Sequence, residues 1–306
     1  MKNELYDYWP IIKRPSLKWP DGAHVAFWLG VNIEHYLFGK PSLSLAANTA
    51  QFIPDPQNHA WRDYGTRVGV WRLVEALDKY SIRASVLLNS DVCSEYPEII
   101  EAGTGRNWAW LAHGKNNSTL QVNMEASDER RYLEDVSATI GNATGRQPRG
   151  WLGPGLTETT NTPSILADLG FTYNCDWCCD DQPFPMNVGT KRFISVPYGL
   201  ELNDITMFLG KSLSGEQFYQ QVVDQLEALV EDGKGNGRVM CLALHPMIIN
   251  QPFRQKYLDA ALKLISEHDK VWLTTSDEIA DWYLSNYYDE AVASISARHP
   301  VRPTTR

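Results

Sequence analysis

Val239-Met240-Cys241-Leu242-Ala243-Leu244-His245-Pro246 is the stretch that decides the fold. A short, continuously apolar run is what a parallel strand covered on both faces looks like, and His245-Pro246 ends it. On either side, Ser214 to Val230 and Phe253 to Glu267 carry apolar residues at three-to-four spacing, the mark of crossover helices. Seven further runs share this character: His24 to Val31, Arg83 to Leu88, Trp108 to Ala112, Gly150 to Leu152, Phe171 to Asn174, Phe193 to Pro197 and Val271 to Thr274. Between them, Arg67 to Tyr80, Glu125 to Ile140, Thr162 to Leu169 and Ser276 to Leu284 have helical spacing. The alternation predicts an α/β fold in one domain, a (β/α) barrel over residues 1–290 with a loosely attached tail over 291–306. Gly39 to Asp63 and Cys175 to Lys191 lack periodicity and read as loops over the active face.

Composition narrows the function. The 306 residues carry 28 Lys and Arg against 37 Asp and Glu, a net charge of −9, with no basic run, so nucleic acid is a poor partner. No apolar stretch is long enough to span a bilayer, and the first residues lack an export-signal pattern. Five unevenly spaced cysteines fit a reducing compartment, and a cytoplasmic protein is the expectation. Cys175-Asp176-Trp177-Cys178-Cys179 has no second ligand pair for a zinc site, and the Gly-rich 233–238 stretch follows a helix, the wrong order for a phosphate loop.

Barrels of parallel strands bind ligands at the carboxyl ends of their strands. Here those ends are polar: Asn32 and Glu34-His35, Asn89, His113 through Asn117, Gly153-Pro154-Gly155, Asp176-Trp177 with Asp180-Asp181, and His245. A carboxylate, two histidines and an acidic pair converging from different strands suit a metal site or general acid-base chemistry. Gly153-Pro154-Gly155 is placed for its backbone N–H groups to face an oxyanion.

In this order, six segments resemble the polysaccharide-deacetylase superfamily, specifically its allantoinase-like branch. They are Arg62-Asp63-Tyr64-Gly65-Thr66-Arg67-Val68-Gly69-Val70-Trp71-Arg72, Ala112-His113-Gly114, Gly150 through Gly155, Cys175-Asp176-Trp177 with Asp180-Asp181, Leu200 through Asp204, and Leu242 through Pro246. The resemblance implies a hydrolase of non-peptide carbon–nitrogen bonds that opens a small cyclic amide, imide or ureide. Its alternatives are an N-deacetylase or deformylase acting on a small acylated amine or sugar, and a catalytically inactive metabolite-binding barrel. It also implies a homo-oligomer and one zinc-like divalent metal on Glu34, His113 and Asn117. Asn117 stands where the family has a second histidine and is a weak ligand, so a metal-free route stays open.

The catalytic set implied is Glu34, His245 and Asp176, with His245 protonating the leaving nitrogen. Arg62, Tyr64, Asn89, Trp151, Gly153, Trp177, Asp181 and Asn203 are the expected substrate contacts. Trp61, Tyr64, Trp151, Trp177 and Phe184 are expected to wall a compact aromatic pocket for a planar ring.

Overall fold

The computed structural model describes residues 3–298. Nine strands form one sheet: β1 Val25–Ile33, β2 Ala84–Leu88, β3 Ala109–Ala112, β4 Gly150–Trp151, β5 Tyr173–Asn174, β6 Phe184–Pro185, β7 Ile194–Ser195, β8 Arg238–Leu244 and β9 Val271–Leu273. The spatial order is β6-β7-β5-β4-β3-β2-β1-β8, parallel throughout except for the antiparallel β6–β7 pair. One edge of β1 is divided, its first residues pairing with β9 and its last with β2. The sheet curls into a distorted barrel and leaves a seam between β8 and β6. There Val239 N–H donates to the Asp181 carbonyl at 2.8 Å, and Ala243 N–H to that of Leu202 at 3.0 Å.

The helices are α1 Pro56–Tyr64, α2 Val70–Tyr80, α3 Val92–Glu95, α4 Pro97–Thr104, α5 Ala126–Thr144, α6 Thr162–Asp168, α7 Gly215–Asp232, α8 Pro246–Ile249, α9 Gln255–Ser266, α10 Ser276–Asn286 and α11 Tyr288–Arg298. Ser214 starts α7 through a reciprocal cap with Gln217, as its sequence suggests. The stretch read as a loop up to Asp63 already contains most of α1, capped by Asp55 and opened by Pro56. The expected tail at residue 291 lies within α11, which docks through the buried Ala291; residues 299–306 of that tail lie outside the described residues.

Strand alternation divides the apolar side chains between two cores. Val25, Phe27, Leu29, Val31 and Ile33 face the helices together with Leu88, Ala112 and Trp151. Ala26, Trp28, Leu87, Leu111, Leu152 and Cys241 fill the barrel. Trp28 is fully buried there and donates its indole N–H to the Pro197 carbonyl at 3.0 Å, so truncating it would cost about 3–5 kcal/mol. The inward row of β1 continues through Asn32 to Glu34, that of β3 to His113 and that of β8 to His245. Those three functional groups thus surface together at the carboxyl mouth.

Candidate active site

Glu34, His113 and His245 are all nearly removed from solvent, at 9%, 2% and 3% exposure. Glu34 Oε1 lies 3.4 Å from His113 Nε2 and 3.7 Å from His245 Nε2. Burial alone would raise the Glu34 pKa, but the His245 charge, together with the Tyr36 hydroxyl, outweighs it and brings it down to about 2. Glu34 is therefore an ionised base at neutral pH. Tyr36 donates its hydroxyl to Glu34 Oε2 and lies beneath the Arg62 guanidinium, 4.9 Å from the ring centre.

His245 is held by Asp204. Oδ1 of this carboxylate is 2.6 Å from His245 Nδ1, and Oδ2 accepts the His245 backbone N–H at 2.7 Å. Burial opposes the imidazolium, yet the charges of Asp204 and Glu34 raise the His245 pKa above its ordinary value. Asp204 reaches His245 because Leu202 and Asn203 run alongside the end of β8, Asn203 bridging to Ala243. The turn carrying His245 is packed from outside by the segment joining α1 and α2. A Cβ on Gly69 would sit 2.2 Å from the Pro246 carbonyl oxygen and one on Gly65 2.9 Å from Met247 N, so only glycine permits the approach.

His113 Nδ1 is 2.7 Å from the Leu152 carbonyl, which fixes the hydrogen on Nδ1 and leaves Nε2 as the acceptor of the neutral ring. That Nε2 is buried without a hydrogen-bond partner and faces a carboxylate oxygen. Two acceptors so placed suit the two hydrogens of one water. On the Glu34 side a recess of about 10 Å³, room for roughly one water, is lined by Asn32, Glu34, Arg62, Thr66 and Met247, with neither histidine in its wall.

The orientation of Asn117 follows from its neighbours. Asn89 accepts from His35 N–H through Oδ1 at 2.9 Å and donates through Nδ2 to the His113 carbonyl, so its amide is fixed. The Asn117 atom 3.0 Å from Asn89 Nδ2 is then the oxygen, and its NH2 points at Glu34 Oε1, 2.5 Å away. Asn117 thus offers hydrogens to the site where a metal ligand must offer a lone pair.

Several expected substrate contacts lie elsewhere. Asp176 does not touch His245; its Oδ1 accepts the Gly153 N–H at 2.8 Å, which also engages the backbone donor expected to face an oxyanion. Trp151 is fully buried against Phe171 in the core beneath the helices. Tyr64 takes a hydrogen bond from Arg72. Trp177 and Phe184 both pack on Tyr6, with ring centres 5.2 and 5.1 Å away, so the expected aromatic pocket does not assemble.

Asp181 is at the wrong end of the barrel. After β5 the chain descends into antiparallel β6, and the Asp181 carbonyl meets Val239, six residues before His245 and so about 20 Å away along β8. Asn203 serves the wall, accepting Ile205 N–H at 2.9 Å, while its neighbour Asp204 enters the site. Cys178 and Cys241 lie apart from the site and line a cavity of about 800 Å³ along the barrel seam.

The polysaccharide-deacetylase family model matches residues 62–174. A crystal structure described as a probable polysaccharide deacetylase from Pseudomonas aeruginosa superposes with a TM-score of 0.80 at 25% identity, over 89% of this chain and 95% of that one. A Schizosaccharomyces pombe protein bearing the same provisional description is 21% identical over 316 residues, covering 93% of this chain and 94% of its own. The chain thus carries a polysaccharide-deacetylase family match over residues 62–174, within a fold shared with a probable polysaccharide deacetylase. It is a hydrolase acting on carbon–nitrogen bonds other than peptide bonds. The structure of PuuE allantoinase has the same fold, with a TM-score of 0.79 at 23% identity over 89% of this chain and 94% of that one.

Family deacetylases generally use a divalent metal. The donors here do not suit one as they stand: Glu34 already accepts from Asn117 and Tyr36, and Asn117 presents NH2. Among the described residues, no three His, Cys, Asp or Glu side chains are grouped to hold a cation. Nor is any described helix long and apolar enough to cross a membrane.

Proposed function

We propose that this hydrolase opens a small cyclic amide, imide or ureide by adding water across a ring C–N bond. The observation that carries the reading is an ionised Glu34 facing an Asp204-held His245 at 3.7 Å beside a one-water recess, which sets a base and an acid within reach of one carbonyl carbon and the nitrogen bonded to it. The water gives its hydrogens to Glu34 Oε1 and His113 Nε2. Glu34 takes one proton as the oxygen attacks the ring carbonyl carbon. Arg62 borders the recess with its Nε buried and unpartnered, and it supplies a fixed positive charge for the developing oxyanion.

His245 Nε2 then protonates the ring nitrogen, and the C–N bond breaks. The proton on Glu34 passes to His245 and restores both groups. The net change is one water added, with its hydroxyl on carbon and its hydrogen on nitrogen.

The test is mass spectrometry of products from ureides, cyclic imides and N-acylated amines, with His245→Ala as the control. A product heavier than its substrate by one water, absent with the variant, supports ring opening. Release of an acyl fragment moves the protein to the deacylating members of its family. Turnover that survives both His245→Ala and Glu34→Ala refutes the site.

A further inference from the structure

Glu34 stands at the end of β1, His245 follows β8, and the carboxylate that holds His245 comes from a third part of the chain, the segment 197–204. One side chain joins all three. The Tyr198 phenol is buried in the barrel with its ring 5.9 Å from that of Trp28. Gly30 makes room for it, since a Cβ there would lie 3.2 Å from each of these rings. The phenol oxygen accepts Asn32 Nδ2 at 3.0 Å and Asn203 Nδ2 at 3.4 Å, and its hydroxyl donates to Asn32 Oδ1 at 3.4 Å.

Neither amide is free to turn. Asn32 Nδ2 also donates to the Leu244 carbonyl at 3.2 Å, and Asn203 Oδ1 accepts the Ile205 N–H at 2.9 Å, which identifies nitrogen and oxygen at both. Every residue so joined stands just before a group of the site: Asn32 two residues before Glu34, Asn203 one before Asp204, and Leu244 one before His245. Trp28 fixes the start of the 197–204 segment through the Pro197 carbonyl, and Tyr198 ties its far end, at Asn203, to β1. Burial, with Cys241 from β8, Glu34 from β1 and Asp204 from the segment itself nearby, pushes the Tyr198 pKa well above its ordinary value, so the phenol stays neutral wherever the site works.

We propose that Tyr198 is a positioning residue for ring opening, one that locks the Asp204 segment and β8 to β1 and so sets the spacing between Glu34 and His245. This rests on the acid and base of the ring-opening reading. Tyr198 touches neither of them; it acts through Asn32 and Asn203. The spacing it sets is 3.7 Å, and a shift well below 1 Å in either partner moves the proton off its line to the ring nitrogen.

The experiment is a double-mutant cycle of Tyr198→Phe and Asp204→Asn, read as kcat and KM at pH 8 on the substrate that the product screen identifies. The phenylalanine keeps the ring against Trp28 and leaves one hydrogen of each amide without an acceptor. Asn203→Ala, which cuts only the arm to the Asp204 segment, repeats the test on a second variant. A readout without substrate is the downfield proton resonance of His245 Nδ1–H in its 2.6 Å bond to Asp204, assigned by its loss in His245→Ala.

Tyr198→Phe should lower kcat about tenfold with KM within about twofold, and should cost less than about twofold in Asp204→Asn, where the hold on His245 is already lost. The downfield resonance should move upfield or be lost to exchange in Tyr198→Phe and in Asn203→Ala. A purely structural role would take the same factor from kcat in both backgrounds, and that result overturns the proposal, as does an unmoved resonance in both variants. A wild type that opens no ring overturns the reaction, while the resonance still decides whether Tyr198 positions Asp204 against His245.

Discussion

Replacing Asp204 with Asn removes a negative charge while keeping nearly the same shape. The carboxylate accepts from two donors of one residue, His245 Nδ1–H at 2.6 Å and its backbone N–H at 2.7 Å, and an amide must turn its NH2 toward one of them. The bond from a charged imidazolium to a carboxylate is worth about 1.5–3 kcal/mol. At 1.36 kcal/mol per pKa unit, its loss cuts the protonated fraction of His245 roughly ten- to 150-fold on the alkaline side.

The folded pKa of His245 is raised, so the acid form is complete below the ordinary value of 6.5 and is lost as pH rises through the folded value. In Asp204→Asn the alkaline limb of kcat/KM should therefore move to lower pH. The deficit should be largest near pH 8 and should shrink toward pH 5.5, where both proteins carry the proton. The assay is the pH dependence of kcat/KM on whichever substrate the product screen identifies, with near-ultraviolet circular dichroism to confirm that the variant is folded. An alkaline limb that stays in place, with rates within about threefold of wild type at every pH, would refute the claim that Asp204 holds the acid.

Tyr36→Phe removes a donor to Glu34, whose depressed pKa makes the base available above about 2 and lost as pH falls through that value. The acid limb should move upward, with activity at pH 7 reduced by no more than about tenfold; a pH profile that does not move contradicts the assignment of Glu34 as base. Gly69→Ala drives a Cβ into the Pro246 carbonyl and should cost about 1–3 kcal/mol in denaturant unfolding, with kcat falling more than KM as His245 shifts. Chelator treatment of the wild type should leave its rate unchanged. Asn117→His, which replaces the NH2 facing Glu34 with a lone-pair donor, should bind zinc measurably in titration calorimetry; a rate that collapses with chelator in the unmodified protein would show that the Asn117 orientation argued from Asn89 is wrong.

What could be read from the sequence follows from what a period of two can and cannot see. The inward rows of β1, β3 and β8 end on Glu34, His113 and His245, so locating the strands located these side chains, and Asn89 came with β2. Asp204 sits on no regular strand. It reaches His245 only because the chain before it lies along β8, a long-range pairing that leaves no local pattern and that drew attention to its neighbour Asn203 instead.

Asp181 shows the complementary failure. An acidic pair a few residues past an apolar run was taken to stay at the mouth, but Phe184–Pro185 pairs antiparallel with β7, which requires the intervening chain to travel down the barrel first. A two-residue strand containing proline is invisible to periodicity, yet it moves a carboxylate about 20 Å. Side chains delivered by strand ends are thus local facts of the sequence, whereas those delivered by returning loops depend on contacts made elsewhere. In this protein the proposed hydrolytic base, Glu34, and acid, His245, belong to the first kind. Asp204, which accepts from both the ring and the backbone N–H of His245, belongs to the second, so the setting of a strand-borne side chain can depend on a loop that no local pattern marks.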